Sequence, residues 1–248
     1  MAHPGHMLSQ RRFRGLCEHF RLRGHVLSTF QYDATTIPQV EEWLSRDRLA
    51  KYLAETGDDL GAALDLHAHN TALSAAFFGP IQVFEIALRN TLDRELCKCF
   101  GQAWYDAAPF SINQDINDLV QKAKDGLISR KKAVDKPHIV AELNFGFWTL
   151  LTASRYEHSI WTPALGKAFP NYTASTGKGI KRGTVSGQLN YLRSFRNRIA
   201  HHEPIFHRDL RADYATLLGV ASWLHADLSD WIAFHSRVPY LLPKRELY

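Results

Sequence analysis

Cysteine is scarce in this chain: Cys17, Cys97 and Cys99 are all there are among 248 residues. An odd, sparse set argues against a secreted disulfide framework. Cys97-Lys98-Cys99 is too tightly spaced for the usual metal knuckle, so partly buried free thiols are expected there. Long apolar runs are also missing. No continuous stretch reaches the ~20 residues that cross a bilayer, so no membrane partner is expected. Arg11, Arg12, Arg14, Arg21 and Arg23 crowd the N-terminal region without the apolar stretch of a signal peptide, which makes the cytoplasm the expected location. Convincing strand alternation and repeats of fixed period are absent as well.

What the chain has is apolar mass: 45% hydrophobic residues, with 14 Phe, 9 Tyr and 6 Trp, enough for a large core. The formal charge of +5 favours an anionic partner, but it is modest for this length. By itself it does not separate a nucleic-acid binder from an ordinary basic surface.

The pattern throughout is helical. Residues 1–37 are expected to be a partly flexible N-terminal extension, and residues 38–248 the folded domain. Pro38 opens a helical stretch. Ser45 suits an N-cap for a short helix through Ala54, with Gly57 at its C-terminal cap and Asp58 or Asp59 capping the next helix. Residues 60–100 form a long helical pattern in which Gly79-Pro80 predicts a kink or a split. After the break, Phe84, Leu88, Leu92, Leu96 and Cys99 make one buried stripe. Residues 101–111 read as a loop with aromatic anchors. Residues 112–132 read as a helix with a basic face at Lys122, Lys124, Arg130, Lys131 and Lys132. Pro137 starts an apolar helix through Leu151, and residues 170–187 read as a mobile basic loop. A helix over 186–202 follows, and a last one carries Leu217, Ala221, Leu224 and Leu228 on one face. The expected class is all-α, with about seven to nine helices.

The chemistry concentrates at Arg196-Asn197-Arg198-Ile199-Ala200-His201, followed by His202-Glu203-Pro204. Imidazole moves protons near neutral pH. Guanidinium binds phosphate in a fork and stabilises charge as it develops. A carboxamide can orient either one. These groups suffice to cut RNA without a metal. Asn197 and His201 share a helix face. Arg196 and His201 are ~140° apart round the axis and roughly 7.5 Å along it, so a second copy facing the first would help them line one cleft. His202 is a supporting candidate. Metal binding by His201, His202, Glu203 and His207 is the distant alternative, because adjacent helical histidines diverge. A second Arg-Asn pair, Arg89-Asn90, follows Glu85. Either Glu85 and Arg89 form an i, i+4 ion pair, or this group supports Arg196 and His201.

These blocks resemble the Abi-like (abortive infection) proteins of bacteria. The resemblance rests on 70–78 (NTALSAAFF) running into 84–90 (FEIALRN), on 140–148 (VAELNFGFW), on 192–206 (LRSFRNRIAHHEPIF) and on 235–239 (HSRVP). The family is similar to the HEPN superfamily, which implies a dimeric helical bundle, here with flanking helices. It also implies a metal-independent ribonuclease built on an Arg-x4–6-His motif, and Arg196, Asn197 and His201 fit that motif.

The expected function is therefore an endoribonuclease of anti-phage defence by abortive infection, or a toxin. It would leave 2′,3′-cyclic phosphate and 5′-OH ends and need no cofactor or metal. Lys178, Lys181, Arg182, Arg193 and Arg198 are the expected RNA-binding residues. RNA, a second copy of the chain, and an antitoxin protein or regulatory RNA are the expected partners. The alternative is a non-cleaving RNA-binding module using the basic helix at 112–132 and the loop at 177–182.

Overall fold

The computed structural model describes residue 33 and residues 35–242. The N-terminal arginines, Cys17 and most of the expected extension lie outside these residues. Among the described residues there is no strand, and the class is all-α.

Helix α1 spans Thr36–Leu44 and α2 spans Arg46–Thr56. Between them Ser45 adopts φ 64°, and its side chain accepts a hydrogen bond from Arg48 N at 3.3 Å. Gly57 closes α2 at φ 67°, a left-handed geometry that costs glycine least. Of the two aspartates, Asp59 is the cap: its Oδ1 accepts from Ala62 N at 3.0 Å.

Helix α3 then runs from Leu60 to Phe100, 41 residues with Pro80 inside. Of the kink or split expected at Gly79-Pro80, the split does not occur. Proline forfeits one backbone hydrogen bond, while burial of the apolar stripe on both sides holds the helix together. Phe84, Leu88, Leu92 and Leu96 are fully buried, but Cys99 is exposed, because the step from Leu96 to Cys99 leaves the four-residue row. By length and composition α3 is also apolar enough to cross a bilayer.

The expected loop at 101–111 contains a 3-10 turn, Trp104–Asp106, and a short helix α4, Ala108–Ser111, with Trp104 and Phe110 fully buried. Helix α5 is Gln114–Ser129. The apolar helix expected from Pro137 divides into α6, Lys136–Glu142, and α7, Phe145–Leu150. Asn144 causes the break by capping α7: its side chain accepts from Phe147 N at 3.0 Å. A 3-10 turn (Ser154–Tyr156), a π turn (Glu157–Trp161) and another 3-10 turn (Leu165–Ala168) follow.

The expected basic loop is shorter than its composition suggests. Helix α8 occupies Tyr172–Thr176, and α9 already starts at Arg182, running to Ala200. The final helix is likewise two, α10 (Leu210–Leu224) and α11 (Ala226–His235), so Leu228 is not on the α10 face. Helix α12 is Val238–Leu241.

The chain forms two units. The first comprises residues to Ala76, His202–Arg208 and Arg237 onward; the second comprises Phe77–His201 and Asp209–Ser236. In the first, Leu49, Tyr52, Leu53, Ala63, Leu64 and Leu66 form the core, and the Phe206 ring packs tilted against Tyr52 with centroids 5.2 Å apart. In the second, the α3 stripe is packed among aromatic rings: Phe84 meets Phe145 edge-on at 6.2 Å, and Phe77 meets Phe195 of α9 at 5.0 Å. Val185, Leu189, Leu192, Phe195 and Ile199 give α9 its buried stripe.

Candidate active site at the end of α9

Helix α9 is held by that apolar stripe, and this fixes which of its polar residues reach the surface. Arg196 and Asn197 are half-buried on its last turns, and Ala200 is its final residue. His201 and His202 therefore lie just past the helix rather than within its last turn, as the sequence had suggested. His201 still continues the path: its N–H donates to Asn197 O at 2.9 Å, and its side chain is exposed. His202 turns away at φ 57°, a left-handed conformation unusual for a residue with a β-carbon.

The supporting residues separate. Glu85 of α3 faces Arg196, with Oε2 3.4 Å from Nε; the two side chains are 21% and 36% exposed. The carboxylate thus lies across helices and not on Arg89 along its own helix. Arg89 Nε is buried without a hydrogen-bond partner. Asn90 is exposed, ~140° round α3 from Glu85.

The expected RNA-binding residues are spread along α9 and the turn before it. Lys178 and Lys181 are exposed in the turn before α9, roughly 20 Å from Arg196 along the helix axis. Arg182 is a structural residue: its Nε donates to Glu157 at 2.9 Å and its Nη1 to Thr152 O at 2.9 Å. Two of its five N–H donors are thus held by protein acceptors, which leaves it less free for a phosphate than Lys178 or Lys181. Arg193 and Arg198 are half-buried, and Arg198 is engaged with a neighbouring group. Of the basic face on α5, Lys124 pairs with Asp106 at 2.6 Å, and Arg130, just past the helix, pairs with Glu142 at 2.6 Å. Among the described residues, no three His, Cys, Asp or Glu side chains are grouped to hold a metal ion.

Two residues that the sequence reading passed over support the segment after the motif. Within the first unit, the buried Asn70 accepts hydrogen bonds from Ile205 N at 2.7 Å and Phe206 N at 3.1 Å, and Arg48 Nη1 donates to His202 O at 3.1 Å. The signal for Asn70 was available. It places an amide between the buried Leu66 and Leu73, where the helical period asks for an apolar residue.

Compared with known proteins, the chain matches the Abi-like protein family over residues 25–207. No curated protein and no solved structure matches it.

Proposed function

This chain belongs to the Abi-like protein family, and from that premise we propose that it is a metal-independent endoribonuclease of the HEPN type. It would act in bacterial defence by abortive infection or as a toxin. The observation that carries the reading is the end of α9: a half-exposed guanidinium, a carboxamide and an exposed imidazole within one short segment, with the Glu85 carboxylate on the guanidinium.

The reaction is attack by an RNA 2′-oxygen on the neighbouring phosphorus. The new 2′-O–P bond forms as the P–O5′ bond breaks, giving a 2′,3′-cyclic phosphate and a 5′-OH. One proton leaves the 2′-OH and one arrives on the 5′-oxygen. His201 performs one of these transfers, and in a homodimer the second copy's imidazole performs the other. Arg196 stabilises the charge on the phosphorane, and Asn197 orients substrate or imidazole. DNA lacks the attacking hydroxyl and is not cut.

The test is labelled single-stranded RNA incubated in EDTA with the wild type and with His201→Ala. We expect cleavage to persist in EDTA and to fall about 10²–10⁴-fold in the variant. Cleavage abolished by EDTA, or unaffected by the substitution, overturns the mechanism. RNA held by the wild type but never cut points instead to a binding module. A monomer in light scattering at micromolar concentration removes the shared cleft.

A further inference from the structure

In the second unit a groove lies between α5 on one side and α6, α7 and α9 on the other. It consists of two neighbouring hollows, 560 Å³ and 350 Å³, which share Leu119, Asn144 and Phe147 as walls. Lys122 and the paired Arg130 and Glu142 edge the larger hollow, and Asn190 and Arg193 of α9 line the smaller.

Arg193 is the unusual group here. Its Nε is buried and has no hydrogen-bond partner. Its Nη1 stands near Gly146, where an added Cβ would lie 4.0 Å from it. The residue is half-buried, so its Nη groups point the charge toward the hollow while the unpaired Nε leaves the guanidinium without a fixed internal partner. Arg130 is satisfied by Glu142 at 2.6 Å, whereas Lys122 is exposed. The groove therefore offers the Arg193 guanidinium with its Nε unpaired, the exposed Lys122 ammonium, the amides of Asn144 and Asn190, and apolar walls at Leu119 and Leu150; the Asp125 carboxylate in the larger hollow, which accepts from Gln121 Nε2 at 2.9 Å, directs the anionic backbone to the Arg193 end. That set suits a phosphate with its base: the fork matches the phosphate oxygens, and the base lies on the apolar wall.

Register ties the groove to the motif. Arg193 and Asn197 are four residues apart on α9, hence on one face and about 6 Å apart along the axis. A strand whose phosphate sits on Arg193 can continue along α9 toward Asn197 and His201. We propose that this groove is the track for single-stranded RNA beside the scissile phosphate, with Arg193 holding a non-reacting phosphate. The inference deepens the ribonuclease reading and rests on it.

The experiment uses the full chain carrying His201→Ala, which binds without cutting, and a short fluorescein-labelled single-stranded RNA followed by anisotropy over a salt series. Adding Arg193→Gln is expected to weaken binding about tenfold and to lower the salt slope by about 0.7, one phosphate contact. Leu119→Trp fills the groove without changing charge; it is expected to weaken binding about tenfold with the slope unchanged. Binding equal to the parent in both variants overturns the proposal. So does a nucleoside monophosphate that competes fully at micromolar concentration, because the groove is then a mononucleotide site.

If Arg193→Gln fails to fold, crosslinking of 4-thiouridine RNA to the parent decides. Adducts within residues 114–129, 142–153 or 190–198 support the track, and adducts elsewhere alone refute it. The two readings fail separately. Wild-type cleavage with normal binding by the groove variants sinks only the track. Groove-dependent binding without wild-type cleavage sinks only the nuclease.

Discussion

At the start of α9, Arg182 donates to a carboxylate and to a backbone carbonyl, and its side chain is 16% exposed. At the other end, Arg196 faces a single carboxylate at the long distance of 3.4 Å, with 36% of its side chain in solvent. The residue type and the helix are the same, and the availability to an anionic substrate is opposite. Net charge counts both equally. The number of cations open to a phosphate is thus smaller than the composition implies, and it is set by the acidic and carbonyl groups packed beside each cation.

The largest effect should come from the exposed end. Arg196→Ala is expected to lower RNA cleavage about 10²–10³-fold, while a urea melt moves by no more than about 0.5 kcal/mol. Joint loss of folding and cleavage would erase the contrast between the two ends.

Imidazole shows a parallel split. His201 is exposed, whereas burial on α3 pushes His69 down to about 4 from the ordinary 6.5. His69 is thus kept neutral in the fold and is protonated more readily when unfolded. Its contribution is complete above pH 6.5 and is lost as pH falls toward 4. We expect about 3 kcal/mol of stability to disappear across that window. His69→Gln should flatten this part of the stability–pH curve, and an unchanged curve would contradict the assignment. His67 shifts in the same direction, through burial first and then Arg48.

Arg182→Ala should cost about 2 kcal/mol in urea unfolding, since it leaves Thr152 O and Glu157 without their donor. Cleavage per folded molecule should stay at the wild-type level, and a selective loss of cleavage would make Arg182 part of the site after all. The smallest effect is expected from Glu85→Gln: about threefold to tenfold in kcat, with RNA affinity kept or raised. A carboxylate that merely braced α3 would instead change the melting point and leave kcat alone.

Much of the fold was legible because its signals are short-ranged. Ser45, Gly57 and Asp59 act on groups within four residues of themselves, and each caps as the sequence suggests. The α3 stripe follows from the helical period. The misreadings share a physical origin. Asn144 looked like one more residue in an apolar run, yet its side chain ends one helix and starts another. At Pro80 the split, one of the two outcomes the sequence allows beside a kink, does not occur, because packing on both sides outweighs one lost hydrogen bond. Gly183 and Gly187 looked like loop, but Val185 and Leu189 bury the first turns and extend the helix back to Arg182.

By itself, the sequence determined the all-α class, the principal caps, and the presence of Arg196, Asn197 and His201 on one short segment. Tertiary structure decided which cations are tied down, that Glu85 reaches Arg196, and that Asn70 clamps the backbone after the motif. The division follows from range. Helical period and capping are settled among neighbours a few residues apart, whereas an ion pair between distant helices exists only once apolar burial has fixed how those helices lie against each other.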